Sequence, residues 1–147
     1  HEWYTNFTPE EQHTMLTLWC LFGSPLMLGC ELTKLDDATL ALLTNRDVLS
    51  MLTPDCKPHQ VCLDDEKAIW CAHNAVTGEH FAAFFNLSDE TQTIHCDIET
   101  LHVGDEPCAH KDASLTELWS KEKTSVSGSA ISVTPPAHGC LVFRVEN

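Results

Sequence analysis

The chain has 147 residues, 43% of them hydrophobic, and its 22 acidic against 8 basic side chains give a net charge of −14. Protonating all 9 histidines would leave it acidic, which excludes a protein that grips nucleic acid by displacing counterions from phosphates and disfavours docking on anionic lipid. The length suits one domain of about 150 residues, and the longest apolar runs, 15–22 and 25–28, fall well short of the roughly 20 residues of a membrane span.

No basic-then-apolar leader opens the chain and its first residue is not methionine. A processed terminus or a cut within a longer protein is therefore expected. Helix signals come first. Thr8 can cap a helix, Pro9 suits its first position, and Glu11 completes a capping box. Met15, Leu18, Trp19 and Phe22 recur at i, i+3, i+4 and i+7, which predicts one apolar stripe. Gly23, Ser24 and Pro25 stop the helix. The run from Pro25 to Cys30 has no polar alternation and reads as a parallel strand buried on both faces. Asp36 or Asp37 can cap a second helix carrying Leu40 and Leu43. Asn45-Arg46-Asp47 then restarts a short helix through Val48 and Leu52. A lone buried parallel strand needs neighbours, so residues 1–54 read as an incomplete part of an α/β architecture.

From about residue 58 the period changes to 2. Segments 68–73, 79–87, 91–98, 115–119, 130–134 and 139–146 read as strands, separated by turn signals such as Thr77-Gly78, Gly104-Asp105 and Pro135-Pro136. In the last of them Leu141, Phe143 and Val145 share one face, and Cys140, Val142 and Arg144 the other. The strand around 80–87 is apolar on both faces, with Phe81, Ala83, Phe85 and Leu87 opposed to Ala82 and Phe84. It is expected to be central, with a second cover beyond the sandwich. Residues 55–147 thus predict an antiparallel β-sandwich.

The eight cysteines include no C-x-x-C pair. Cys20, Cys30, Cys71 and Cys140 sit in apolar runs, where a free thiol packs as a small hydrophobe. Buried free thiols are the expectation, which leans toward a cytoplasmic setting, with disulfides or a metal as alternatives. The metal alternative rests on Cys71-Ala72-His73, Cys108-Ala109-His110 and His138-Gly139-Cys140, whose i, i+2 spacing projects two ligands from one strand face. The acidic clusters are expected to be structural. Asp36-Asp37 marks a helix start, while Asp64-Asp65-Glu66 and Ser88-Asp89-Glu90 mark turns. Neither Ser24 nor Ser88 has a neighbouring base to activate it. Trp70 and Trp119 alternate with apolar neighbours and are expected in the core; a solvent-facing pair would suggest a sugar platform.

Several strings, taken together and in order, resemble one family. Phe7-Thr8-Pro9-Glu10-Glu11-Gln12-His13-Thr14, Thr17-Leu18-Trp19, Ser24-Pro25-Leu26-Met27-Leu28-Gly29 and Leu42-Leu43-Thr44-Asn45-Arg46-Asp47-Val48-Leu49 are similar to the end of the barrel in the melibiase family of glycoside hydrolases, the α-galactosidases and α-N-acetylgalactosaminidases. Phe84-Phe85-Asn86-Leu87-Ser88-Asp89, Leu118-Trp119 and Pro136-Ala137-His138-Gly139 resemble that family's C-terminal β-sandwich. Residues 56–70 and 97–112 match least. The resemblance implies an α+β fragment: the last helix–strand–helix of a (β/α)8 barrel over residues 1–54, then an antiparallel β-sandwich over 55–147.

In that family one aspartate attacks the anomeric carbon and another protonates the leaving oxygen, both on barrel strands that would precede this segment. No string here resembles either motif, so no catalytic residue is assigned. The resemblance places Glu31 just after the last barrel strand, where strand ends line the active site. The family usually has aspartate there, and a polar residue fixing the strand–helix loop is the competing reading. Trp3, beside Tyr4, falls in the loop after the preceding strand and could stack on a sugar face or pack at the rim. Cys30 is expected in the core. Asn86-Leu87-Ser88 fits a glycosylation pattern, but Asn86 closes a strand of a family string and reads as a turn residue. The expected function is the non-catalytic C-terminal part of a retaining glycosidase acting on terminal α-galactosides or α-N-acetylgalactosaminides. Its expected partners are the missing N-terminal barrel and the carbohydrate substrate, with no cofactor, no metal, no nucleic acid and no membrane. The alternative is an independent carbohydrate-binding or packing module.

Overall fold

The computed structural model of the chain describes residues 6–22, 33 and 35–147. The Pro25–Cys30 run lies outside the described residues. So do the strand expected there, Cys30, Glu31, Trp3 and Tyr4.

Among the described residues three α-helices come first: α1 (Pro9–Leu21), α2 (Asp37–Leu43) and α3 (Arg46–Leu49). Each begins on the residue type its start requires. Thr8 Oγ1 accepts from the Glu11 amide at 3.2 Å while the Glu11 carboxylate accepts from the Thr8 amide at 2.9 Å, a complete capping box. Asp36 caps α2 through the Thr39 amide, and Asn45 caps α3 through the amides of Asp47 and Val48. Thr8→Ala removes one half of the box and is expected to lower stability by about 1 kcal/mol, whereas Thr8→Asp keeps an acceptor and should lose less. The shift in urea midpoint separates the two.

Ten strands follow: β1 (Cys56–Leu63), β2 (Lys67–Asn74), β3 (His80–Asn86), β4 (Ile94–Asp97), β5 (His102–Val103), β6 (Glu106–Pro107), β7 (Ser114–Glu117), β8 (Lys123–Ser125), β9 (Ala130–Val133) and β10 (Cys140–Glu146). A six-stranded antiparallel sheet runs β1-β2-β3-β10-β7-β8; β4 pairs with β9, and β5 with β6. The expected strands fall within a few residues of β2, β3, β4, β7, β9 and β10. Four others escaped the sequence pattern. β1 carries Pro58, lacks apolar alternation and contains a bulge between Gln60 and Cys62. It is nonetheless an edge strand, where a missing amide and a bulge are tolerated. β8 is exposed throughout and closes the other edge. The ribbon β5–β6 has only two residues on each side.

Two cores lie on opposite faces of the large sheet. Ile69, Cys71, Ala82, Phe84, Phe143 and Val145 point toward β4 and β9, whose Ile94, Cys96, Ile131 and Val133 close the sandwich. Ala72, Phe81, Ala83, Phe85, Cys140 and Val142 point the other way, onto Leu16, Cys20 and Leu21 of α1 with Leu42, Val48 and Met51. The central β3 is buried at every position, as its two apolar faces require. Leu87, beyond its end, is exposed.

The expected stripe on α1 needs correction. Met15, Trp19 and Phe22 are exposed, at 41%, 37% and 51%, while Leu16, Thr17, Cys20 and Leu21 are the buried residues. Likewise Leu40 of α2 is exposed and its neighbour Leu42 is buried. Both helices are apolar on more than one side, so periodicity identifies stripes without saying which one the sheet takes. Among the described residues no helix is long and apolar enough to cross a membrane.

Candidate functional site

The distinctive chemistry of the described chain lies where the helices meet the large sheet. Asn45 belongs to both sides. Its Oδ1 caps α3, and its Nδ2 donates to the Leu118 carbonyl at 3.0 Å. Two residues on, the Asp47 carboxylate accepts a hydrogen bond from Lys121 Nζ and one from Arg144 Nη2 at 3.2 Å. The Lys121 hydrogen bond, opposed by burial and reinforced by Arg144, holds the Asp47 carboxyl below its ordinary value. Arg144 also sets Nε 2.8 Å from Glu79 Oε2, off the N–H axis, so this contact is an ion pair rather than an aligned hydrogen bond.

Trp119 is the next tie. Its indole Nε1 donates to Thr17 Oγ1 at 2.9 Å, and its ring stacks on His13 with centroids 4.4 Å apart and planes at 14°. Burial, outweighing Glu117 and Glu10 nearby, pushes the His13 imidazole below its ordinary value. Trp70 meets the edge of Phe22 at 4.8 Å. Both tryptophans are half-buried on the helix-facing side of the sheet, so they are neither central core residues nor an open platform.

Beneath Trp119 sits Glu117, only 4% exposed. Its Oε1 accepts from the amides of Trp119 and Ser120 at 2.9 and 2.8 Å, and Oε2 accepts from the Val142 amide at 2.9 Å. The sequence signal was a lone acid between Leu115 and Leu118 in an apolar stretch. An open groove of about 540 Å³ runs along this junction past His13, Ala41, Asn45, Arg46, Trp119 and Lys121. Asp47, which lines it, and Glu117 beneath Trp119 are both fully engaged by cations or amides. Neither can serve as the free member of an acid–nucleophile pair.

A second junction meets α1 at Glu11 and Thr14. Asn86, 1% exposed, donates from Nδ2 to the carbonyls of Glu90, Pro135 and Pro136, and accepts through Oδ1 from Ser88 and Gln92. Its amide nitrogen is therefore consumed inside the fold, in keeping with the turn reading and against a glycan. His138, at φ 57, donates from Nε2 to Asp89 Oδ1 at 2.6 Å, lies 3.5 Å from Glu11 Oε1, and offers its carbonyl to Thr14 Oγ1 at 2.9 Å. Gly139 follows because a Cβ there would sit 2.6 Å from Pro136 Cγ. Five quoted strings, those beginning at Phe7, Thr17, Leu42, Phe84 and Pro136, thus meet at the two junctions, together with Leu118-Trp119.

Glu31 and Trp3 lie outside the described residues. Asp36 is a cap, and Asp64 Oδ1 accepts from the amides of Glu66 and Lys67 in a turn. Ser88 Oγ bonds Asn86 and the Glu90 carbonyl. The seven described cysteines are free thiols. Burial pushes Cys140 up to about 11, and a hydrogen bond with Cys108, then burial, pushes Cys71 up. Two of the Cys-x-His pairs do not converge: Cys108 is buried beside exposed His110, and Cys140 contacts Thr17 while His138 turns to Asp89 and Glu11.

Residues 64–145, more than half of the chain, match the family described as the alpha galactosidase C-terminal beta sandwich domain. α-Galactosidase A of Cellvibrio japonicus is 25% identical over 146 residues, covering 95% of this chain and 36% of its own length. The crystal structure of a GH27 β-L-arabinopyranosidase from Geobacillus stearothermophilus superposes with a TM-score of 0.86 at 30% identity, over 99% of this chain and 32% of that one. α-Galactosidase I of Mortierella vinacea shares the fold at a TM-score of 0.82 and 17% identity, over 95% of this chain and 36% of its own. The chain spans about a third of the length of these relatives.

Proposed function

The chain belongs to the α-galactosidase C-terminal β-sandwich family, and from that premise we propose that it is the C-terminal part of a retaining glycosidase whose catalytic barrel it completes and buttresses. The carrying observation is α1, apolar on two sides. Leu16, Cys20 and Leu21 go into the sheet-facing core, while Met15 and Trp19 are presented outward and the half-exposed Phe22 lies edge-on to Trp70 of the sheet. A helix closing a (β/α)8 barrel faces barrel on one side, and here its other side is taken by the sandwich. In this reading the run from Pro25 to Cys30 is the last barrel strand, residues 1–54 finish the barrel, and the two junctions transmit the sandwich's rigidity to it.

The paired carboxylates, about 5–5.5 Å apart in retaining enzymes, would come from the preceding part of the barrel. Glu31 and Trp3 would stand at the rim and touch the sugar. No cofactor enters this chemistry. The substrate would be a terminal α-galactoside or α-N-acetylgalactosaminide, and the arabinopyranosidase relative makes an L-arabinopyranoside part of any test panel.

The experiment compares the full-length protein with this 147-residue segment on chromogenic glycosides of the three sugars. Full-length protein is expected to turn over at least one, the segment none. Hydrolysis by the segment, or an inert but folded full-length protein across the panel, would overturn the proposal. A galactose titration that shifted the segment's tryptophan fluorescence would favour an independent binding module instead.

A further inference from the structure

Histidines crowd one end of the sandwich, away from both junctions. The β2–β3 hairpin turns through Ala75, Val76 and Thr77. Gly78, at φ 78, and Glu79 oppose Asn74, because the Gly78 amide donates to the Asn74 carbonyl and the Asn74 amide to the Glu79 carbonyl. That is a G1 bulge, and it sets the register that puts His73 opposite His80. Since Asn74 forms the hydrogen-bonded pair, His73 and His80 form the next, non-hydrogen-bonded one, whose side chains stand closest. They share the inner face with Cys71 and Ala82. Their rings lie 4.3 Å apart with planes at 7°.

The ribbon β5–β6 reaches over this pair and brings Glu106 Oε1 to 3.8 Å from His80 Nε2. That is too long for a hydrogen bond. The other nitrogen of His80 is worse placed: Nδ1 is buried and has no hydrogen-bond partner, in a residue 8% exposed. A buried imidazole with neither nitrogen hydrogen-bonded is rare, because each orphaned polar atom costs about 1–3 kcal/mol. His73, His80 and Glu106 each offer one donor atom, all within 4.8 Å of one another.

We propose that His73, His80 and Glu106 form a binding site for a divalent transition-metal ion of the zinc class, which clamps the β5–β6 ribbon onto the β2–β3 hairpin. Two imidazoles and one carboxylate suit a borderline-soft ion that keeps a fourth position for water. Ligand atoms 2.0–2.1 Å from a tetrahedral ion lie about 3.4 Å apart, so the present trio must draw in by roughly an ångström. Glu106, 57% exposed in its side chain on a two-residue strand, has the freedom to do so. The ribbon is held by His102, whose Nδ1 contacts the Gly104 carbonyl at 2.9 Å. The site does not depend on the glycosidase reading.

Cobalt(II) titration of the EDTA-stripped, reduced protein at pH 7.5 tests this, because cobalt's spectrum separates nitrogen and oxygen ligation from thiolate. One equivalent should bind with visible d–d bands and no sulfur charge-transfer band, and zinc should displace it and raise the melting temperature. His73→Gln and Glu106→Gln, both outside the buried core, should each weaken binding at least about tenfold while leaving the circular dichroism spectrum unchanged. Absence of binding, a thiolate band, or equal affinity in both folded variants would overturn the proposal.

Discussion

Asn86→Asp is expected to destabilise the protein by about 3–5 kcal/mol at pH 7, although the two side chains have nearly the same shape. The Nδ2 group donates at 2.7, 3.1 and 3.0 Å to the carbonyls of Glu90, Pro135 and Pro136. Aspartate replaces that donor with an oxygen facing three carbonyl oxygens in a site 1% exposed. Each stranded carbonyl costs about 1–3 kcal/mol, and the charge adds repulsion. The variant also acquires a pH signature. Its carboxyl pKa is raised in the folded state, so the folded protein binds the proton more tightly than the unfolded chain. The deficit should therefore shrink as pH falls toward about 4 and grow as pH rises through the folded pKa. Urea denaturation at the two pH values measures both effects. A deficit under about 1 kcal/mol, or one independent of pH, would show that the amide does not lock this turn.

Glu117→Leu should be of similar size for the opposite reason. Here an acceptor is lost, and the amides of Trp119, Ser120 and Val142 are left without a partner in the interior. A total of about 3–5 kcal/mol is expected. Glu117→Gln keeps one oxygen, which serves the Trp119 and Ser120 amides if it takes the Oε1 position, but turns an NH2 toward the Val142 amide. About half the loss should remain. The same region carries the Trp119–Thr17 hydrogen bond to α1, so the leucine variant should also change the tryptophan fluorescence of the native state. Equal stability of the Leu and Gln variants would remove the carboxylate's bridging role.

The two residues differ in how visible they are in a linear chain. Asn86 stands in a recognisable string and closes an apolar strand, so its turn role could be read. Its partners could not, because two of the three carbonyls it binds lie some fifty positions away. Glu117 gave only the hint of an acid in an apolar stretch. The α1 stripe shows a subtler failure. Met15, Trp19 and Phe22 do share a face, and that face is real, but Leu16, Cys20 and Leu21 form a second one. Choosing between them requires knowing that the sandwich takes the second. Similarly, i, i+2 spacing puts Cys71 and His73 on one strand face, where they are. His80 is invisible to such spacing, since its contact with His73 depends on hairpin register rather than on one strand.

Local chemistry is what the sequence by itself determined. The Thr8, Asp36 and Asn45 caps arise from hydrogen bonds within a few residues, and the two apolar faces of β3 and the alternation of β10 are written in their own side chains. The strings resembling one family belong here too, since they survive as contiguous segments. The tertiary structure alone decided which apolar face of α1 the sheet covers, that Pro58 sits harmlessly on an edge strand, and that Asp47 joins Lys121 and Arg144 across about seventy to a hundred positions. It also brought His73, His80 and Glu106 together. The physical reason is common to all of them. Burial and hydrogen-bond satisfaction depend on which surfaces meet, and a residue's own neighbours in the chain do not specify that meeting.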